Sequence, residues 1–153
     1  MTSSLLIFLM VLLPTQQVEQ LGAWVGKNVG RPYVWGATGY KSYDCSGLVW
    51  RMLSDNGVYL KRTTARKLFL SLKKLPPGET PSYGTLIFFD DLKHVGIVID
   101  SQKFFHAQSS KGSNVSQLSP YWKRKVYGYR QLPMPVVSAN FENTSDQPMN
   151  TTQ

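Results

Sequence analysis

The chain has 153 residues, 42% of them hydrophobic and 12% aromatic, with one cysteine, two histidines and a formal net charge of +8. That length suits a single domain that buries about two thirds of its unfolded surface, and one cysteine excludes an internal disulfide framework. One Cys and two His without zinc spacing also exclude a structural zinc site, and no metal or organic cofactor is called for.

All 17 Lys and Arg lie between Lys27 and Arg130, where only six acids occur, so this segment carries +11. Such a surface favours anionic partners, including an anionic wall polymer, or simply keeps the domain solvated. No aromatic RNA-binding signature or helix-turn-helix pattern accompanies the charge, so nucleic acid is not an expected partner.

In chain order, Leu5 to Leu13 is a nine-residue apolar block closed by Pro14, far short of the roughly 20 residues that cross a bilayer. It suits the apolar part of a secretory signal, although no Lys or Arg precedes it and Thr15 to Gln20 holds no clear small-x-small cleavage site. The rival is an N-terminal helix packed on the domain. Export to the periplasm or the exterior is expected, without stable membrane insertion.

Val18, Leu21, Trp24, Val25 and Val29 fall at helical spacing, with Gly30 as a stop. The following Gly30-Arg31-Pro32-Tyr33-Val34-Trp35-Gly36-Ala37 is a Pro- and Gly-punctuated loop. Trp35 reads as a core anchor, while the Tyr33 hydroxyl could serve a polar site. The lone cysteine follows, in Tyr43-Asp44-Cys45-Ser46-Gly47-Leu48-Val49-Trp50. Leu48, Val49, Met52 and Leu53 make the apolar stripe of a helix over 46–56, capped by Asp44 or its neighbour and stopped by Gly57. Cys45 then sits in the first turn, where unpaired N–H groups and the helix dipole favour an anion and can lower a thiol pKa below its free value of about 8.5. The competing reading is that of a small buried hydrophobe.

Lys61 to Leu68 predicts a cap and a short basic helix, and Pro76 to Pro81 a loop. From Gly84 onward the pattern turns to strands: 86–89, 95–99, 103–107, 115–118 and 126–132, an antiparallel set. Helices first and strands after make an α+β protein. Both histidines, His94 and His106, fall in the strand half. A histidine beside a cysteine can take its proton, and a second polar group can orient the imidazole. A two-residue hairpin would put His94 and His106 on opposite faces, so their contact needs a bulge or a longer turn.

Taken together, Pro32-Tyr33-Val34-Trp35-Gly36, Asp44-Cys45-Ser46-Gly47-Leu48-Val49, Lys61-Arg62-Thr63-Thr64, Gly84-Thr85-Leu86-Ile87-Phe88-Phe89, His94-Val95-Gly96-Ile97 and Phe105-His106-Ala107 closely resemble the NlpC-type cell-wall cysteine peptidases, over about Leu21 to Leu132. The resemblance implies a reduced papain-like fold, N-terminal helices packed on a small antiparallel sheet. It implies hydrolysis of peptidoglycan stem peptides, commonly between γ-D-glutamate and the diamino acid, through an acyl-enzyme; a monomer is expected. Cys45 would be the nucleophile, His94 its base and His106 the orienting third residue; Tyr33, Asp44, Ser46 and Arg62 fall where substrate is bound. Asp44 would suit the free amine of a stem peptide. Three departures stand out: Gly36-Ala37 replaces a usual double glycine, Gly84-Thr85 a usual glycine-aspartate, and Lys67 lies near the place of a glutamine often found after the arginine-threonine-serine block. A silent wall-binding module and a papain-like acyltransferase remain as alternatives.

The expected domains are therefore a signal peptide or N-terminal helix (1–20), the peptidase domain (21–132) and a flexible polar tail (133–153). Asn114-Val115-Ser116, Asn143-Thr144-Ser145 and Asn150-Thr151-Thr152 read as glycosylation sequons only in a eukaryotic host.

Overall fold

A computed structural model describes residues 19–133 of the chain. The signal or helix expected at 1–20 and the tail expected at 133–153 therefore lie, apart from residues 19, 20 and 133, outside the described residues.

Helical backbone runs over 19–28 (α1), and it buries the apolar Leu21, Trp24 and Val25 together with Asn28. The aromatic loop leads into α2 (Cys45–Asp55), capped by Asp44, whose side chain accepts from Gly47 N at 2.6 Å. Leu48, Val49, Met52 and Leu53 are all buried, as the stripe predicts, each contributing roughly 1.5–3 kcal/mol on leaving water. Gly57 follows the helix at φ +83°, the left-handed backbone that favours glycine. A short α3 (Ala65–Ser71) is capped by Thr64.

The strands are β1 (Leu86–Phe89), β2 (His94–Val98), β3 (Lys103–Gln108), β4 (Gly112–Gln117) and β5 (Val126–Arg130), in the order β4-β3-β2-β1-β5, all antiparallel. β4 starts three residues earlier than its β-branched run predicts, because Gly112 at φ +71° turns tightly enough to pair with Gln108. The sequence pattern does not predict α4 (Pro120–Lys123), a single turn with Pro at its start.

Both sheet faces are covered. Leu86, Phe88, Val95, Ile97, Phe105 and Ala107 pack against α1 and α2. Ile87, Phe89, Val98 and Phe104 pack beneath Leu118, Trp122, Val126 and Tyr129. Burial on both faces is why β1 reads Leu-Ile-Phe-Phe rather than alternating. The architecture is α+β, as the order of elements predicts, and papain-like, as the resemblance implies.

Candidate active site

Cys45 is the first residue of α2 and is buried. The aromatic loop is fixed beside it: Val34 N donates to Tyr43 O, Tyr43 N to Pro32 O, and Gly36 N to Asp44 Oδ2. This pairing holds Tyr33, half-buried, close enough to Cys45 and Asp44 that both raise its pKa, after burial as the larger cause. Trp35, read as a core anchor, is instead 87% exposed at the lip of the cavity that holds Cys45. The tight turn at Gly36 (φ +76°) carries the indole outward.

Asp44 is spent internally. Its carboxylate receives Gly36 N, Gly47 N, the Ser46 hydroxyl and both a 2.8 Å and a 3.0 Å bond from Arg62 Nη2. Arg62 also donates to Ser46 Oγ at 2.9 Å and to Thr63 O. Three of the four residues expected to bind substrate thus form one network, with Arg62 neutralising a nearly buried carboxylate. The carboxylate that a stem-peptide amine would use already has five donor contacts.

The Cys45 sulfur faces the opening of β2, lying 3.8 Å from Lys93 O. Burial pushes the thiol pKa up, and Asp44 adds to the rise; N–H groups of Val95, Ser46 and Cys45 itself pull the other way. This corrects the expectation from helix position alone: taking the sulfur out of water outweighs the N-terminal N–H groups.

His94 and His106 meet, with His94 Nε2 2.7 Å from His106 Nδ1. Three residues, 100–102, make the turn between β2 and β3, closed by Ile99 N to Lys103 O at 2.9 Å. That odd-numbered turn puts both histidines on one face. Gly96 between them leaves the gap: a Cβ there would come within 3.2 Å of His106 Cβ. His106 Nε2 continues to Ser116 Oγ at 2.7 Å, and Ser116 to Asn114 Oδ1 at 2.9 Å. Trp122 on α4 stacks on His94 and meets His106 edge-on. Burial lowers His94 to about 4 and His106 to about 3, so both rings are neutral near pH 7.

Ser116, Asn114 and Trp122 join the site without having been expected from the sequence. The i, i+2 spacing of Asn114 and Ser116 was a usable signal for the first two, since it places them on one strand face; Trp122 gave none.

Two hollows flank the meeting point. One, of about 630 Å³, is lined by Cys45, Asp44, Trp35 and Arg62; the other, of about 990 Å³, by His94, Trp122, Arg124 and Lys125. Tyr33 and Lys93 border both. The first hollow thus presents a polarisable thiol with helix-start N–H donors, the second a neutral imidazole with a fixed neighbour, and the two adjoin at Tyr33 and Lys93.

Comparison with known proteins identifies the family. Residues 30–131 match the NlpC/P60 family. The chain is 35% identical over 109 residues to the probable peptidoglycan endopeptidase LytE of Bacillus subtilis, covering 68% of this chain and 31% of LytE. It is 35% identical to a probable endopeptidase NlpC homologue of Haemophilus influenzae, covering 68% of this chain and 57% of that protein. The chain thus spans about a third to just over half the length of these relatives. A lipoprotein-like NLP/P60-family protein of Staphylococcus aureus superposes with a TM-score of 0.66 at 28% identity, over 76% of this chain and 41% of the other. With the match running over two thirds of its length, the chain belongs to the NlpC/P60 family.

Proposed function

We propose that this chain is a cysteine endopeptidase that hydrolyses peptidoglycan stem peptides at the γ-D-glutamyl–diamino acid bond, acting outside the cytoplasm as a monomer. The observation that carries the reading is the pair His94–His106, 2.7 Å apart, set at the strand opening against which the Cys45 sulfur rests.

With Nε2 engaged by His106, His94 has Nδ1 left to take the Cys45 proton. Because the resting thiol and imidazole are neutral, the proton moves as the sulfur attacks the scissile carbonyl. N–H groups at the start of α2 then stabilise the oxyanion. His94 returns the proton to the departing amine, the acyl group stays on sulfur as a thioester, and water activated by the same ring releases it. Among the described residues no helix is long and apolar enough to cross a membrane.

Mass spectrometry of defined muropeptides after incubation with the purified protein tests this. Cleavage at the γ-D-glutamyl bond is expected, abolished by Cys45→Ala and by His94→Ala with the circular dichroism spectrum unchanged. Intact muropeptides with the wild-type protein, or a fully active Cys45→Ala variant, would overturn it.

A further inference from the structure

We infer that Ser116 and Asn114 are positioning residues of this site, ending a one-way hydrogen-bond chain that holds His94 in the tautomer with its free lone pair on Nδ1. The inference rests on the roles proposed above for Cys45 and His94.

The direction of the chain is set at its far end. Gly112 O is a carbonyl and can only accept, so the group facing it at 2.9 Å is the amide nitrogen of Asn114. The second proton of that nitrogen points to Gln108 Oε1 at 3.4 Å. Asn114 therefore presents Oδ1 to Ser116, 2.9 Å away. The single hydroxyl proton of Ser116 is used there, and its oxygen can only accept from His106 Nε2 at 2.7 Å. His106 thus carries its proton on Nε2 and offers the Nδ1 lone pair to His94. At 2.7 Å, His94 Nε2–H must donate, which leaves Nδ1 bare. Were Ser116 to donate to His106 instead, two oxygen acceptors would face each other at 2.9 Å with no proton between them.

Strand register makes the chain possible. Asn114 lies across from His106 and Ser116 across from Phe104, so both project to the imidazole face. Val115, between them, pairs with Phe105 and is 43% exposed. The Asn-Val-Ser triplet that reads as a sequon is, in the fold, the far end of the histidine pair.

A tautomer-fixing neighbour is worth about tenfold to a hundredfold in activity when removed. We expect Ser116→Ala to lower kcat by that factor with KM within twofold. Ser116→Thr, which keeps the hydroxyl, should stay near wild type, as should Val115→Ala. Nitrogen-15 NMR of the imidazoles in the wild-type protein should show His94 protonated on Nε2 and His106 on Nε2. In Ser116→Ala and in Asn114→Ala the two tautomers should mix. A wild-type protein with the His94 proton on Nδ1 would overturn the inference, and this measurement needs no substrate, so it stands apart from the cleavage reading. It also decides the matter where Ser116→Ala does not fold. A Ser116→Ala protein with wild-type kcat, or with reduced kcat and unmixed tautomers, would overturn it equally.

Discussion

Replacing Arg62 by Met tests the network around Asp44. The change keeps the aliphatic stem and removes the guanidinium, and with it the 2.8 and 3.0 Å bonds to Asp44 and the 2.9 Å bond to Ser46. Breaking one side of a buried ion pair costs about 3–5 kcal/mol when the other charge is left bare. Here Asp44 keeps Gly36 N, Gly47 N and the Ser46 hydroxyl, and the Arg62 side chain is 30% exposed, so the expected loss is smaller, about 2–3 kcal/mol. That is about 30- to 140-fold in the folded-to-unfolded ratio. Urea unfolding should show a lower midpoint with an unchanged slope. A second arm, Asp44→Asn alone and combined with Arg62→Met, should reveal a coupling above about 1 kcal/mol. A loss below about 0.5 kcal/mol, or additive single effects, would refute the view that Arg62 neutralises Asp44.

Gly47→Ala should cost at least about 3 kcal/mol although it raises helix propensity, because the new Cβ would lie 2.1 Å from Ala37 O, a backbone atom; a stabilised variant would contradict the packing. Gly26→Ala, on the exposed side of α1 with nothing within 4 Å, should instead gain about 0.5–1 kcal/mol in the same urea assay. Trp35→Ser should shift stability by less than about 0.5 kcal/mol, since the indole is 87% exposed. The lowered His94 pKa of about 4, against 6.5 when unfolded, means that the unfolded chain binds more protons between those values. Stability should therefore fall as pH drops from 6.5 towards 4, by up to about 3 kcal/mol from this group. His94→Gln should flatten that slope by the share of His94, leaving that of His106, and equal pH dependence in both proteins would refute it.

Much of this was legible in residues with one dominant constraint. Asp44, Cys45 and the Leu48–Leu53 stripe specify a capped helix locally, and that helix forms where it was expected. The pairing of His94 with His106 was not decidable from spacing, because one residue more or less in the 100–102 turn changes the face of every side chain after it. Aromatic content says nothing of direction, and the direction of Trp35 follows from the loop's pairing with Tyr43 and the turn at Gly36. The thiol is a different case. Its position at a helix start is legible locally, but the depth to which β2 covers it depends on packing contributed some 50 residues later.

The stacking of Trp122 has a practical consequence. Its indole lies 5.9 Å from the His94 ring and 5.1 Å from the His106 ring, and indole emission is quenched by a neighbouring imidazolium but far less by the neutral ring. Of the four tryptophans, it is the one in contact with both histidines. With Trp24, Trp35 and Trp50 replaced by Phe, the remaining fluorescence would report the charge state of the pair directly, so the protein carries its own optical gauge of protons entering the cleft.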